Sequence, residues 1–445
     1  MVADRISTLS PAPEGHLADH DLQQVQLSRR SLMGLAVTAT LPLVAGPASA
    51  VADPPAAEGD RLPPAYGLGQ PVVAQPYGQP SQHQLGLARK TLPGLSPVPQ
   101  NSASFTPLQG LFGVITPSGL HYERHHSGWV DPDPRDHHLM ISASHPELIK
   151  NPMIFSLEDL MRLPAVSRLH FLECSGNTGM ERQRATAPTV QYTHGLLSCS
   201  EFTGVPLRLL LETCGVDFRK ARYILAEGAD AAALTRTIPM ELIERDEVLV
   251  AYGQNGEHLR PENGFPLRLV VPGVQGVSWV KWLRRIEVGE APYATRDEAL
   301  RYIDLMPDGT HRQYTSVQEV KSVILSPSGG QTLKRHGFFG ITGVAWSGRG
   351  KIKGVDISTD GGRSWREARL TGVVLDKCLT RFHADWQWEG DEAVLQSRAI
   401  DEGGHVQPTY TTLRAARGTG SMYHNNAIHS WGIEQSGEVG NVQVG

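Results

Sequence analysis

The stretch Leu169-His170-Phe171-Leu172-Glu173-Cys174-Ser175-Gly176-Asn177-Thr178-Gly179 is an apolar run that ends in a lone cysteine, with small, turn-forming residues at once after it. A thiolate is the soft ligand that molybdenum, copper or zinc selects. Gly176 and Gly179 would let a bulky group approach it closely. A lone cysteine in an apolar strand can equally be a packing residue, and residue type alone leaves both readings open. Cys199 and Cys214 lie in apolar contexts and read as packing.

Two further clusters could hold an anion. Tyr122-Glu123-Arg124-His125-His126, between Gly119 and Gly128, predicts a polar loop whose arginine and histidines could bind an oxyanion or a phosphate. A solvated loop is the plainer alternative. Pro261-Glu262-Asn263-Gly264-Phe265-Pro266-Leu267-Arg268 is followed closely by Pro272 to Trp282, so that Arg268 and Lys281 punctuate apolar strands. A buried cation must find a partner, and one phosphate would serve both. Charges on edge strands are the alternative.

The elements that would position these residues are legible in part. Phe155 and Ser156 before Leu157-Glu158-Asp159-Leu160 predict a staple and N-cap opening a short helix. Arg168–Leu172 reads as a buried strand that delivers Cys174 to a loop. Leu207–Thr213 predicts a helix stopped at Gly215. Strands are expected at Tyr223–Ala226, Glu247–Ala251, Leu267–Val271 and Val280–Val288, with a hairpin turn at Asn255-Gly256. No regular βαβ repeat appears, so the fold class is α+β. After about Ser316 short β-rich runs separated by turns, including Asp360-Gly361-Gly362, predict an immunoglobulin-like sandwich. Cys378 has no evident partner there.

A chain of 445 residues supports two or three domains. Its net charge of −5 suggests neither nucleic acid nor an anionic membrane as partner. Four cysteines without CxxC, CxxCH or zinc spacing exclude a disulfide framework and a c-type haem of its own. Ser28-Arg29-Arg30-Ser31-Leu32-Met33, the apolar Gly34–Ala45 and Ala48-Ser49-Ala50 read as a twin-arginine export leader, too short to span a membrane. The expected division is a leader over 1–50, a Pro-rich arm or linker over 51–107, a cofactor domain over 108–315, and a sandwich with its tail over 316–445.

Four segments share one further property. FLECSGN at Phe171–Asn177, PENGFPLRLVVPG at Pro261–Gly273, SWVKWLRRIEV at Ser278–Val288 and VDISTDGGRSW at Val355–Trp365 together resemble the sulfite oxidase family of molybdenum enzymes, in the family's order from about Phe112 onward. The resemblance implies a molybdopterin cofactor, with Cys174 as the protein thiolate on molybdenum. It implies an α+β molybdopterin-binding domain followed by an all-β immunoglobulin-like dimerisation domain. Arg124, Tyr302, Arg417 and Tyr192 would line the substrate pocket, Arg417 by reaching back into it. His126, Asp230, Asn263, Arg268, Ser278 and Lys281 would bind the pterin and its phosphate. Two departures stand out: Gly179 replaces an arginine of the animal enzymes, and Asn263 replaces a histidine. A pocket short of one arginine suits small free sulfite less well than sulfur carried on another protein, unless Arg182 or Arg184 substitutes. The segments Gly343–Ile352 and Tyr423–Ile428 resemble the family's sulfane dehydrogenase branch. That branch implies a periplasmic enzyme of thiosulfate oxidation, a sulfur carrier protein as substrate and a separate c-type cytochrome as electron acceptor. It implies a homodimer within a heterotetramer. A sulfite dehydrogenase, a sulfoxide reductase and a non-catalytic scaffold with a decayed site are the competing expectations.

Overall fold

The strand that carries Cys174 is buried on both faces, and this explains the unbroken apolar run. In the computed structural model, which describes residues 77–445 apart from Leu85, 93–95, 314–316, 421–422 and Gly445, it spans Val166–Glu173. Leu172 joins a core built from residues between Ala103 and Val288, while Phe171 points the other way into a core shared with the C-terminal domain. Alternation of side chains along a strand puts the two residues on opposite faces. The twin-arginine leader lies outside the described residues.

Two five-stranded sheets build the first domain. One runs Glu257–His258, Leu249–Gln254, Leu197–Pro206 and Val166–Glu173, all antiparallel, with Arg268–Val270 also paired to Leu249–Gln254. The other runs Met153–Ser156, His138–Ala143, Leu283–Gly289, Tyr223–Gly228 and Thr235–Pro239, with one parallel pair between His138–Ala143 and Leu283–Gly289. Short helices fill the connections. Leu157–Met161 starts from a capping box between Ser156 and Asp159, and Leu207–Thr213 ends before Gly215, whose φ of +70° suits glycine. Asn255 and Gly256 both have positive φ, as a two-residue hairpin turn between Gln254 and Glu257 requires.

The second domain is a sandwich. Four strands, Lys321–Ser326, Gly337–Trp346, Thr380–Trp388 and Arg369–Thr371, face five: Arg366–Glu367, Ile352–Ser358, Ala393–Asp401, Ser430–Ile433 and Val439–Val442. A helix, Tyr410–Arg417, interrupts it. Cys378 proves to have a neighbour after all: its sulfur lies 3.5 Å from that of Cys199 in the first domain, both as free thiols. Asp360 caps its loop through the amides of Arg363 and Ser364, so the connection to Arg366 is longer than a two-residue hairpin.

The arm expected over 51–107 ends earlier than its composition suggests. Lys90–Thr91 and Ala103–Phe105 form a three-stranded sheet with Glu123–Arg124, and Ala103 and Phe105 are buried. The expected polar loop at 122–126 is therefore anchored as a strand. Backbone pairing with a distant segment overrides the linker-like composition.

Candidate active site

Cys174 leaves its strand at the junction of two clefts. The narrower encloses about 690 Å³ and the wider about 1240 Å³, and both are lined by Arg124, His126, Cys174 and Tyr302. Burial pushes the Cys174 thiol up, against the pull of the Gly176 amide. A side chain at Gly176 would sit 4.0 Å from the sulfur, so glycine keeps that approach open. Behind the cysteine, Glu173 forms a buried ion pair with Lys321 at 2.9 Å and accepts hydrogen bonds from Trp346 Nε1 and Asn177 Nδ2. Lys321 and Trp346 belong to the sandwich, so the second domain fixes the base of the loop.

The narrow cleft is cationic. Arg268 and Lys281 face each other across a backbone bridge, as the spacing of charges in apolar strands suggested. Arg268 donates to the carbonyls of Asn263 and Trp279, and Lys281 donates to Nδ1 of His125 and to the carbonyls of Arg124 and Glu262. Neither forms an ion pair among the described residues. Burial drives Arg268 down to about 10 and Lys281 down to about 7, because a buried cation without an anion is disfavoured. His121 donates Nδ1–H to the carbonyl of Tyr122, which leaves Nε2 as a buried acceptor without a partner on the cleft wall. Asp230 and Asn263 line the same cleft, and Asp230 accepts from Ser127 at 2.9 Å. Ser278 lies in the 276–278 turn of the wall, between the lining residues Val277 and Trp279. Gly276 is needed there: a Cβ would fall 2.7 Å from the Tyr122 hydroxyl.

Between the clefts stand His126 and Tyr302, their Nε2 and hydroxyl 2.6 Å apart. Arg124 approaches Nδ1 of His126 at 3.4 Å and can only donate, so Nδ1 accepts and Nε2–H donates to the tyrosine oxygen. Burial holds the imidazole neutral, down at about 3, and burial also raises the Tyr302 hydroxyl. Tyr302 therefore keeps its proton free for a group in the wide cleft. Arg124 is oriented by Asn101 Oδ1 at 2.7 Å and by the carbonyl of His125.

Tyr192 lines the wide cleft, edge-on to Phe105 with ring centroids 5.6 Å apart. Arg417 does not. It lines a separate groove and pairs with Asp304 at 3.5 Å. Asp304 is fully buried, and Glu319 lies 4.0 Å from the same guanidinium. Gly179 lines the wide cleft, while Arg182 donates to the carbonyl of His424 and Arg184 is exposed; neither lines it. Arg301 at the rim is the second cation there. His121, Arg301 and Tyr423 were missed from the sequence. His121 was within reach, one residue upstream of the polar cluster, and Tyr423 opens a segment that the resemblance marks without giving it a place in the pocket, whereas nothing in the local sequence marks Arg301.

Residues 126–296 match the family described as oxidoreductase molybdopterin binding domain, and residues 312–431 match the Mo-co oxidoreductase dimerisation domain. The crystal structure of the sulfane dehydrogenase SoxCD from Paracoccus pantotrophus is similar with a TM-score of 0.83 at 45% identity, over 86% of this chain and 97% of that one. Mitochondrial sulfite oxidase of Rattus norvegicus is 30% identical over 66% of this chain and 57% of its own length. Nitrate reductase (NADPH) of Phytophthora infestans is 29% identical over 73% of this chain and 40% of its own length. The chain thus spans about half the length of these two relatives. It belongs to the sulfite oxidase family of molybdopterin oxidoreductases, and within that family it is similar to the sulfane dehydrogenase SoxCD. Its cofactor is molybdenum held by a molybdopterin.

The residues present fit that group. The buried Arg268 and the half-buried Lys281 without an anion, Arg268 Nε without a partner and the open acceptor on His121 match a phosphate and the N–H groups of a pterin. Cys174 supplies a soft donor where the clefts meet.

Proposed function

We propose that the protein is a periplasmic sulfane dehydrogenase of thiosulfate oxidation. It would oxidise sulfane sulfur carried on a cysteine of a carrier protein and pass electrons to a c-type cytochrome subunit. The observation that carries this reading is the wide cleft meeting the narrow one at Cys174, with Arg124 its inner cation and Gly179 on its wall. Such a space admits a chain end bearing sulfur. Similarity to SoxCD at 45% identity supports the same substrate class. Among the described residues no helix is long and apolar enough to cross a membrane.

In this reading Cys174 holds the metal, and Arg268, Lys281, His126, Asp230, Asn263 and His121 hold the pterin. When bound, the cofactor supplies two-electron oxidation of sulfur with oxygen from water. Arg124 orients the sulfur-bearing group and stabilises negative charge as oxygen is added. Tyr302 donates its hydroxyl proton in a hydrogen bond to the same group, because His126 N–H occupies its oxygen. Tyr192 and Phe105 exclude water on the far wall. A second reading, dehydrogenation of free sulfite, is favoured by Arg124 and Arg301 in one cleft. Turnover of a peptide-borne cysteine persulfide and of sulfite, with cytochrome c as acceptor, separates the two. The first reading predicts kcat/KM at least about tenfold higher for the persulfide. A preference for sulfite by the same factor would overturn it.

A further inference from the structure

The tail of the sandwich reaches back into the site. The amide of His424 donates to the carbonyl of Ser175 at 2.8 Å, one residue after the cysteine. Thr178 Oγ1 donates to the carbonyl of Asn425 at 2.8 Å, and Asn425 Nδ2 returns a bond to the carbonyl of Thr178 at 2.9 Å. Arg182 Nη2 adds a bond to the carbonyl of His424 at 2.8 Å. Four hydrogen bonds thus fix the backbone next to Tyr423 on the loop that follows Cys174. The ring of Tyr423 lines the wide cleft and lies on the ring of Tyr302, centroids 4.9 Å apart and planes at 34°.

Tyr302 needs such support. Its φ of +52° is a left-handed conformation, which costs a bulky residue about 1–2 kcal/mol and persists only where the surroundings hold it. Arg236 covers the ring at 5.5 Å from the centroid, and His126 meets it edge-on at 6.0 Å. The closest of these ring contacts, tilted rather than parallel, comes from Tyr423, a residue of the other domain.

We propose that Tyr423 is a positioning residue: by packing its ring against that of Tyr302 it keeps that hydroxyl on His126 and aimed into the wide cleft, so the dimerisation domain completes the substrate pocket. This rests on Tyr302 facing the substrate. Packing supplies the effect, so the ring matters and the Tyr423 hydroxyl does not.

The test uses the full-length holoenzyme with peptide persulfide as probe and molybdenum content as the check on assembly. Tyr423→Ala is expected to lower kcat about tenfold with KM changed less than about threefold, and Tyr423→Phe to stay within about twofold of wild type. In a Tyr302→Phe background, Tyr423→Ala is expected to cost less than about twofold more, because both changes act through one group. Equal losses in both backgrounds, or failure of phenylalanine to rescue at normal molybdenum content, would overturn the proposal. A crystal structure of Tyr423→Ala decides it independently of turnover. The Tyr302 hydroxyl should move at least about 1 Å from His126 Nε2, a displacement large enough to break the bond. An unmoved hydroxyl contradicts the positioning role. An unchanged kcat in Tyr302→Phe alone would instead contradict the substrate-facing reading of Tyr302.

Discussion

Lys281 concentrates the electrostatic logic of the site. It is a cation held against its desolvation by carbonyls and an imidazole, with no carboxylate in contact. Burial lowers its folded-state value to about 7, below the ordinary lysine range. Between those values the unfolded chain binds the extra proton, so stability of the cofactor-free protein rises with pH from about 7 to about 10.4. The slope from this one group is at most about 1.4 kcal/mol per pH unit. A bound phosphate would return the cation to its charged state and remove the slope. Denaturant unfolding at pH 7, 8 and 9 is expected to show it in cofactor-free wild type and to show less of it in Lys281→Met. Equal pH dependence of the two would contradict the assignment. Cys174, Arg268 and Lys281 were legible because chemistry-bearing residues interrupt apolar runs. Arg417 pairs with Asp304 in a groove of its own, a partner that its local sequence does not reveal.

At the scale of elements, the site is held from behind. The strand Val166–Glu173 ends on Glu173, whose ion pair with Lys321 is almost wholly buried. Removing one partner of such a pair leaves the other desolvated and alone. Lys321→Met is expected to cost about 3 kcal/mol, read as a lower denaturant midpoint, and to lower molybdenum retention with it. An unchanged midpoint would show that Trp346 and Asn177 suffice for Glu173. The helix Tyr410–Arg417 acts in the same way on the segment that carries Tyr302. Burial raises the Asp304 carboxyl and Arg182, Arg417 and Arg312 oppose that rise, so Arg417→Met removes one of three cations that offset the desolvation of this carboxylate. A carboxyl raised above its unfolded value destabilises the fold increasingly as pH rises past that unfolded value, near 3.9. The variant should therefore lose more stability at pH 7 than at pH 4, with KM for persulfide within about twofold of wild type. A selective rise in KM would restore Arg417 to the substrate pocket. Local signals foretold the helix Leu207–Thr213 and the Asn255-Gly256 turn, because glycine and capping chemistry act over a few residues. The strand Ala103–Phe105 was hidden, since its partner lies twenty residues on and its neighbourhood reads as linker.

For the whole molecule, the two domains share a core. Phe171, Leu197 and Cys199 of the first domain pack with Trp346, Phe382 and Trp431 of the sandwich. The sandwich grips the Cys174 loop from two sides, through Lys321 on Glu173 and through His424–Asn425 on the residues after the cysteine. The four motifs in register gave the family and the two-domain plan. They did not reveal that the sandwich helps to shape the pocket, because those contacts join residues some 250 positions apart. The central claim is that Cys174 holds molybdenum and that oxidation of carried sulfane sulfur depends on it. Its most direct test is to measure molybdenum, pterin and persulfide-dependent cytochrome reduction in Cys174→Ser beside wild type, with unfolding midpoints to verify the fold. The expected result is an intact fold, pterin retained by the cationic cleft, and turnover abolished. Cys174→Ser that carries molybdenum and turns over at the wild-type rate would contradict it.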